Sequence, residues 1–180
     1  MRTILEVRPP AGYAPEVAAW LWAMEAARQR TKRQVSGLSQ DVVDWVGPGG
    51  TENSIGTLLY HVAIVEMGWL HNEILDQWEL FPKDDFPFEP FTGRQMTPVV
   101  GVSTLDHVAR LDKSRAIFLE RMKPMTVKDW SRLREPAGED YTVSPGWVVF
   151  HLVEHEAGHA AQIAVMKKRA QAALQRIDGS

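Results

Sequence analysis

From Ser144-Pro145 to about Gln175 apolar side chains return every three or four residues, with no proline after the first turn. Only an α-helix gathers that spacing onto one face, and a serine followed by proline is a strong helix start. Three earlier segments carry the same period. Val17, Trp20, Leu21, Met24, Val35 and Leu38 mark a helix from Pro15 to about Leu38. Ile55, Leu58, Leu59, Val62, Val65, Trp69, Leu70 and Ile74 mark a second, capped at Asn53-Ser54. Leu105, Val108, Leu111, Ile117, Phe118 and Met122 mark a third, from Ser103 or Thr104 until Pro124. Between the first two lie a short apolar stretch, Val42 to Val46, and the breaker Gly47-Pro48-Gly49-Gly50. Nothing alternates as a strand would, so the pattern predicts an all-α four-helix bundle.

The segment Glu79 to Gly101 breaks the period. It is punctuated by Pro82, Pro87 and Pro90, yet Phe81, Phe86 and Phe88 make it too apolar for a solvated spacer. It is expected to pack on the bundle or cover a pocket. Its length lets the chain cross from one end of a bundle to the other, so the second and third helices need not be antiparallel neighbours.

At 180 residues the chain suits a single domain, 1–180, with a real core. A hydrophobic content of 44% and no apolar run near the ~20 residues of a membrane span predict no membrane partner. Charges at Arg2, Glu6 and Arg8 stand where a signal peptide needs an apolar stretch, so a cytoplasmic location is expected. The absence of cysteine removes disulfides, thiolate nucleophiles and cysteine zinc ligands, leaving nitrogen and oxygen to hold any metal. A net charge of −3 argues against nucleic acid as a partner, and Lys167-Lys168-Arg169 reads as a cluster suited to a helix C-terminus. No glycine-rich phosphate loop or nucleophile-elbow serine is present, so nucleotide and serine-nucleophile chemistry have no support.

Four of the six histidines lie on two of the predicted helices: His61 on the second, and His151, His155 and His159 on the last. Residues four apart on a helix differ by only about 40° and stand roughly 6 Å apart, so such a pair can bite one ion. A third imidazole from another helix would leave a coordination position open, as catalytic zinc sites do. Val148, His151, Leu152, His155, His159, Gln162, Ile163 and Met166 share one broad face, which places the histidines in the apolar stripe. Imidazoles buried there without partners cost about 1–3 kcal/mol each. His151 and His159, about 12 Å apart along the helix, are too distant to share an ion, so His155 belongs to one pair or the other. Gln162 is read as a hydrogen-bond partner of a ligand or as a solvent-facing amide. Glu66, Glu154 and Glu156 fall off the stripe and are poor fourth ligands. His71 and His107 are expected to be exposed, and Trp20, Trp22, Trp69 and Trp147 to be core or pocket lining.

Leu58-Leu59-Tyr60-His61-Val62-Ala63-Ile64-Val65-Glu66, together with Trp147 to Ile163 around His151, His155 and His159, resembles the DinB/YfiT superfamily over nearly the whole chain. The resemblance implies a four-helix bundle of up-down-down-up order, with a long crossover between helices two and three. It also implies homodimers and a divalent metal such as zinc or nickel, held by His61, His155 and His159. Relatives include metal-dependent hydrolases and transferases or isomerases that use low-molecular-weight thiols. The implied function is a metal-dependent enzyme that activates water or a small thiol against a small-molecule substrate. The alternatives are a non-catalytic metal- or small-ligand-binding stress-response bundle, and a structural bundle without metal. His151 is left as a pocket residue, a proton shuttle or a core histidine. Many relatives carry histidine or arginine around the last ligand, where this chain has Gly158 and Ala160.

Overall fold

A computed structural model describes residues 4–178. The chain runs through α1 (Pro15–Val35), α2 (Gln40–Asp44), α3 (Ile55–Trp69), α4 (Thr104–Met122), α5 (Val127–Trp130) and α6 (Pro145–Asp178). The four long helices fall where the apolar period places them. Ser54 Oγ accepts from Thr57 N and Ser103 Oγ from Asp106 N, so both expected caps form. The short elements, α5 among them, were not foreseen. The Val42-Val43 stretch is a helical turn, and a two-residue hairpin pairs β1 (Phe91–Thr92) with β2 (Gln95–Met96) inside the crossover.

Side-chain pairs give the direction of each helix. Along α1 and α6, Trp20 meets Phe150, Arg28 meets Glu156 and Gln34 meets Lys167, so these two run parallel. Along α3 and α6, Trp69 meets Trp147 while His61 meets His155 and His159, so they are antiparallel. Glu66 of α3 meets Arg115 of α4, and the Gly56 backbone meets His107, which makes α3 and α4 parallel neighbours. The order is up-down-down-up. Parallel neighbours require the chain to return the whole length of the bundle, and residues 75–103 supply that return. Tyr60 of α3 ties the crossover down: its hydroxyl donates to Phe88 O at 2.7 Å and accepts from Phe88 N at 2.9 Å.

Because the crossover covers its outer side, α3 is buried almost all round, from Ile55 to Ile64 without a break. A helix apolar on every face needs such an environment. Its last turn widens into a π-turn at Leu70–Ile74, closed by Leu75 N donating to Leu70 O at 3.0 Å. Asp76, at φ 53°, then turns the chain out of the helix. Among the described residues no helix is long and apolar enough to cross a membrane.

Two expectations of exposure fail. His71 and His107 are both buried, each at 1%. The π-turn alters the angular phase on which the His71 expectation rested, and the crossover packs Phe81 against its ring. His107 lies in the first turn of α4 but enters the gap left by Gly56, where a Cβ would stand 3.1 Å from its Nε2. None of the four tryptophans read as core or pocket lining is fully buried, and Trp69 and Trp147 line pockets. Trp20 and Trp147 are exposed, and Trp22 and Trp69 are half-buried.

Candidate metal centre

Helix α3 presents His61, and successive turns of α6 present His155 and His159. Their ligand-capable nitrogens all lie within 4.8 Å of one another. His155 Nε2 is 3.1 Å from His61 Nε2 and 3.1 Å from His159 Nε2. Two nitrogens bound at ~2.0–2.1 Å to a tetrahedral ion stand roughly 3.3 Å apart, close to the two separations that His155 makes.

Proton bookkeeping points the same way. Burial, followed by the charge of His159, lowers the pKa of His61 to about 4. Burial, followed by the neighbouring histidines, lowers His155 to about 3. Burial also lowers His159, against the opposing pull of Gln162 and Glu156. All three imidazoles are therefore neutral near pH 7. The Gln162 amide oxygen, 2.8 Å from His159 Nδ1, accepts its proton and leaves a lone pair on His159 Nε2. His155 Nε2 can then donate to one neighbour or accept from the other, but it cannot do both. A single proton on His155 Nε2 serves at most one of the two 3.1 Å contacts, whereas a cation facing three lone pairs satisfies both. The donor set fits a divalent transition metal.

His151 lies one turn before His155, with ring centroids 5.9 Å apart. It stacks on Trp147 at 5.2 Å and 8°, packs against Trp69 at 4.8 Å, and remains half-buried beside the cluster rather than within it. Gln162 is exposed except for its bond to His159. Glu154 is exposed too, and the nearest oxygen of its carboxylate is 3.9 Å from His151 Nδ1.

Glu66 and Glu156 are off the ligand stripe, as their spacing indicates, but they are not idle. With Arg28 and Arg115 they form a buried quartet that draws one residue from each long helix, and each member is at most 3% exposed. Arg28 donates to Glu156 at 2.7 Å and to Glu66 at 2.8 Å, and also to the Leu111 carbonyl. Arg115 donates to Glu66 at 2.8 Å and to Glu156 at 3.1 Å. Burial alone would raise the Glu66 carboxyl, but Arg115 and Arg28 outweigh it and hold the group below the usual carboxylate range. Sequence reasoning missed both arginines. The available signal was a charge at core spacing, as in Leu21-Met24-Arg28-Thr31-Val35 and Leu111-Arg115-Phe118-Met122.

A cleft of about 860 Å³ lies between α3 and the crossover. Phe91, from the small hairpin, forms one wall and sets its ring edge on His61 with centroids 5.4 Å apart. Trp69, which touches His151, forms another. The apolar crossover therefore does what its phenylalanines suggested: it packs on the bundle and walls a pocket.

Comparison with known proteins agrees with this architecture. The DinB superfamily model matches residues 23–163, which include all three histidines of the cluster. The chain is also 27% identical over 162 residues to the uncharacterized protein YkkA of Bacillus subtilis (strain 168), covering 86% of this chain and 88% of that one. The chain belongs to the DinB superfamily.

Proposed function

We propose that the protein is a metal-dependent enzyme in which His61, His155 and His159 hold one divalent ion, zinc or nickel, and leave a coordination position open to a small-molecule substrate. The observation that carries this reading is the approach of His155 Nε2 to both other Nε2 atoms at 3.1 Å, two contacts that one proton on His155 Nε2 does not serve together. An ion held by three imidazoles supplies Lewis acidity, which activates water or a low-molecular-weight thiol near neutral pH. The reaction class is thus hydrolysis or thiol transfer to an electrophile.

The remaining roles belong to the chain. Gln162 fixes the tautomer of His159 so that Nε2 faces the centre. Phe91 and Trp69 limit water on the cleft side. His151, half-buried between Trp147 and Trp69 and next to His155, is placed to carry a proton between the substrate and solvent.

Elemental analysis of protein purified without a histidine tag tests the ion: near-stoichiometric transition metal is expected, falling below about one-tenth equivalent in His155→Ala. A panel of esters, amides and thiol-plus-electrophile pairs tests the enzyme, with turnover expected in the wild type and absent from the variant. Stoichiometric metal with no turnover on any pair would leave a metal-binding module and remove the enzymatic reading.

A further inference from the structure

Glu73 is the one member of the cleft wall whose carboxylate is both buried and incompletely partnered. It lies in the π-turn at the end of α3, is 7% exposed, and lines the cleft. Its Oε1 accepts from Tyr141 Oη at 3.0 Å and from Asn72 Nδ2 at 3.1 Å, whereas Oε2 is buried without any partner. A buried carboxylate oxygen without a donor is costly, and the cost disappears when a ligand supplies one. Burial raises the Glu73 carboxyl above its ordinary value, the direction expected of a carboxylate that lacks a counter-charge.

The rest of the wall narrows the ligand. Glu89 and Glu139 add two further carboxylates, against the single ammonium of Lys83. Trp78, Phe88 and Phe91 line the same cleft and are 50%, 40% and 48% exposed. Half-exposed aromatic rings around one concavity mark a binding surface, and their faces also favour cations. Phe91 and Glu73 both line the cleft, and the Phe91 ring separates it from His61, on which that ring packs.

We infer that Glu73 anchors the amine end of an otherwise apolar ligand that lies in the cleft, with Phe91 between it and His61. The ligand class is a primary ammonium on a hydrocarbon or aromatic body, with the body against the crossover aromatics and the ammonium donating to Glu73. This names the substrate class of the cleft and rests on the histidine cluster being the reactive centre.

Titration calorimetry with 4-phenylbutylamine and its neutral counterpart 4-phenylbutanol, on both chelator-treated and metal-loaded protein, tests it. The wild type should bind the amine about tenfold or more tightly than the alcohol. Glu73→Gln, which keeps an acceptor for Tyr141 and Asn72, should abolish that preference while still binding the alcohol. Glu139→Gln should retain most of it. Equal binding of amine and alcohol by the wild type, no binding of either, or an undiminished preference in Glu73→Gln would each overturn the inference. Quenching of tryptophan fluorescence provides a second readout, since Trp69 and Trp78 line the cleft. The two readings fail separately. An amine preference in protein that takes up no metal would sink the reactive centre and keep the subsite. Stoichiometric metal with no amine preference would do the reverse.

Discussion

The imidazole of His159 is held from behind: its Nδ1 donates to the side-chain oxygen of Gln162, three residues on in the same helix and 2.8 Å away. That one bond decides which nitrogen carries the proton and turns the lone pair of Nε2 towards His155 and His61. Gln162 is otherwise exposed, so replacing it tests the site without disturbing the core. In Gln162→Leu the affinity for zinc, measured by competition with a chromophoric chelator, is expected to fall about 10- to 100-fold. Gln162→Glu, which keeps an acceptor at that position, should retain most of it. An unchanged affinity in the leucine variant would mean that Gln162 does not orient the ring.

The quartet of Arg28, Arg115, Glu66 and Glu156 ties all four long helices at the level just behind the histidines. Two positive and two negative charges balance there, and Arg115 bridges both carboxylates. Removing one cation strands buried negative charge. Arg115→Met is expected to lose about 3–5 kcal/mol of stability in denaturant unfolding, and Arg115→Met with Glu66→Leu to lose less than the two single changes together. Additive losses would show that the charges act independently.

His107 supplies a pH dependence unconnected with the metal centre. Burial first, then Arg110, lowers its pKa to about 4, against the opposing effect of Asp44 and Asp106. Neither ring nitrogen has a partner in the fold. Between pH 6.5 and about 4 the unfolded chain binds a proton that the folded ring refuses. The stability associated with His107 is therefore complete above pH 6.5 and drains away as the pH falls through that window, by up to about 1.4 kcal/mol per unit. Chelator-treated wild type and His107→Leu, unfolded in denaturant at several pH values, should diverge as the pH drops, with the variant losing less. Parallel pH profiles would show that His107 titrates normally.

Two glycines of α6 should respond in opposite ways to alanine. A Cβ at Gly158 would meet nothing within 4 Å, so Gly158→Ala is expected to stabilise the helix by about 0.5–1 kcal/mol with no change in metal content, although His159 is the next residue. At Gly146 the added carbon would stand 2.9 Å from Trp130 Nε1 and 3.0 Å from Cε2. Gly146→Ala is expected to cost about 1–3 kcal/mol as the indole is displaced. Thermal melts of the two variants beside wild type decide it, and a stabilised Gly146→Ala would mean that Trp130 gives way freely.

The helices and the histidines worth watching were legible in the linear pattern, because a 3.6-residue period and a serine cap are local properties of the chain, whereas the up-down-down-up order was implied only by the family resemblance. Ser54 and Ser103 cap where they were expected to, and His61, His155 and His159 stood out as imidazoles on apolar faces. What the spacing alone left open, whether His155 clusters with His151 or with His159, was decided by tertiary packing. Antiparallel α3 brings His61 opposite His155 and His159, while Trp147 and Trp69 take His151 into an aromatic stack. The same holds for the misjudged residues. His71 and His107 are buried by a π-turn, a long crossover and a missing Cβ, none of which a regular 100° helix contains. Arg28 and Arg115 find their carboxylates on other helices, 38 to 128 residues distant along the chain. A charge at a core position has a meaning only once the fold supplies its partner, and that pairing is long-range by nature.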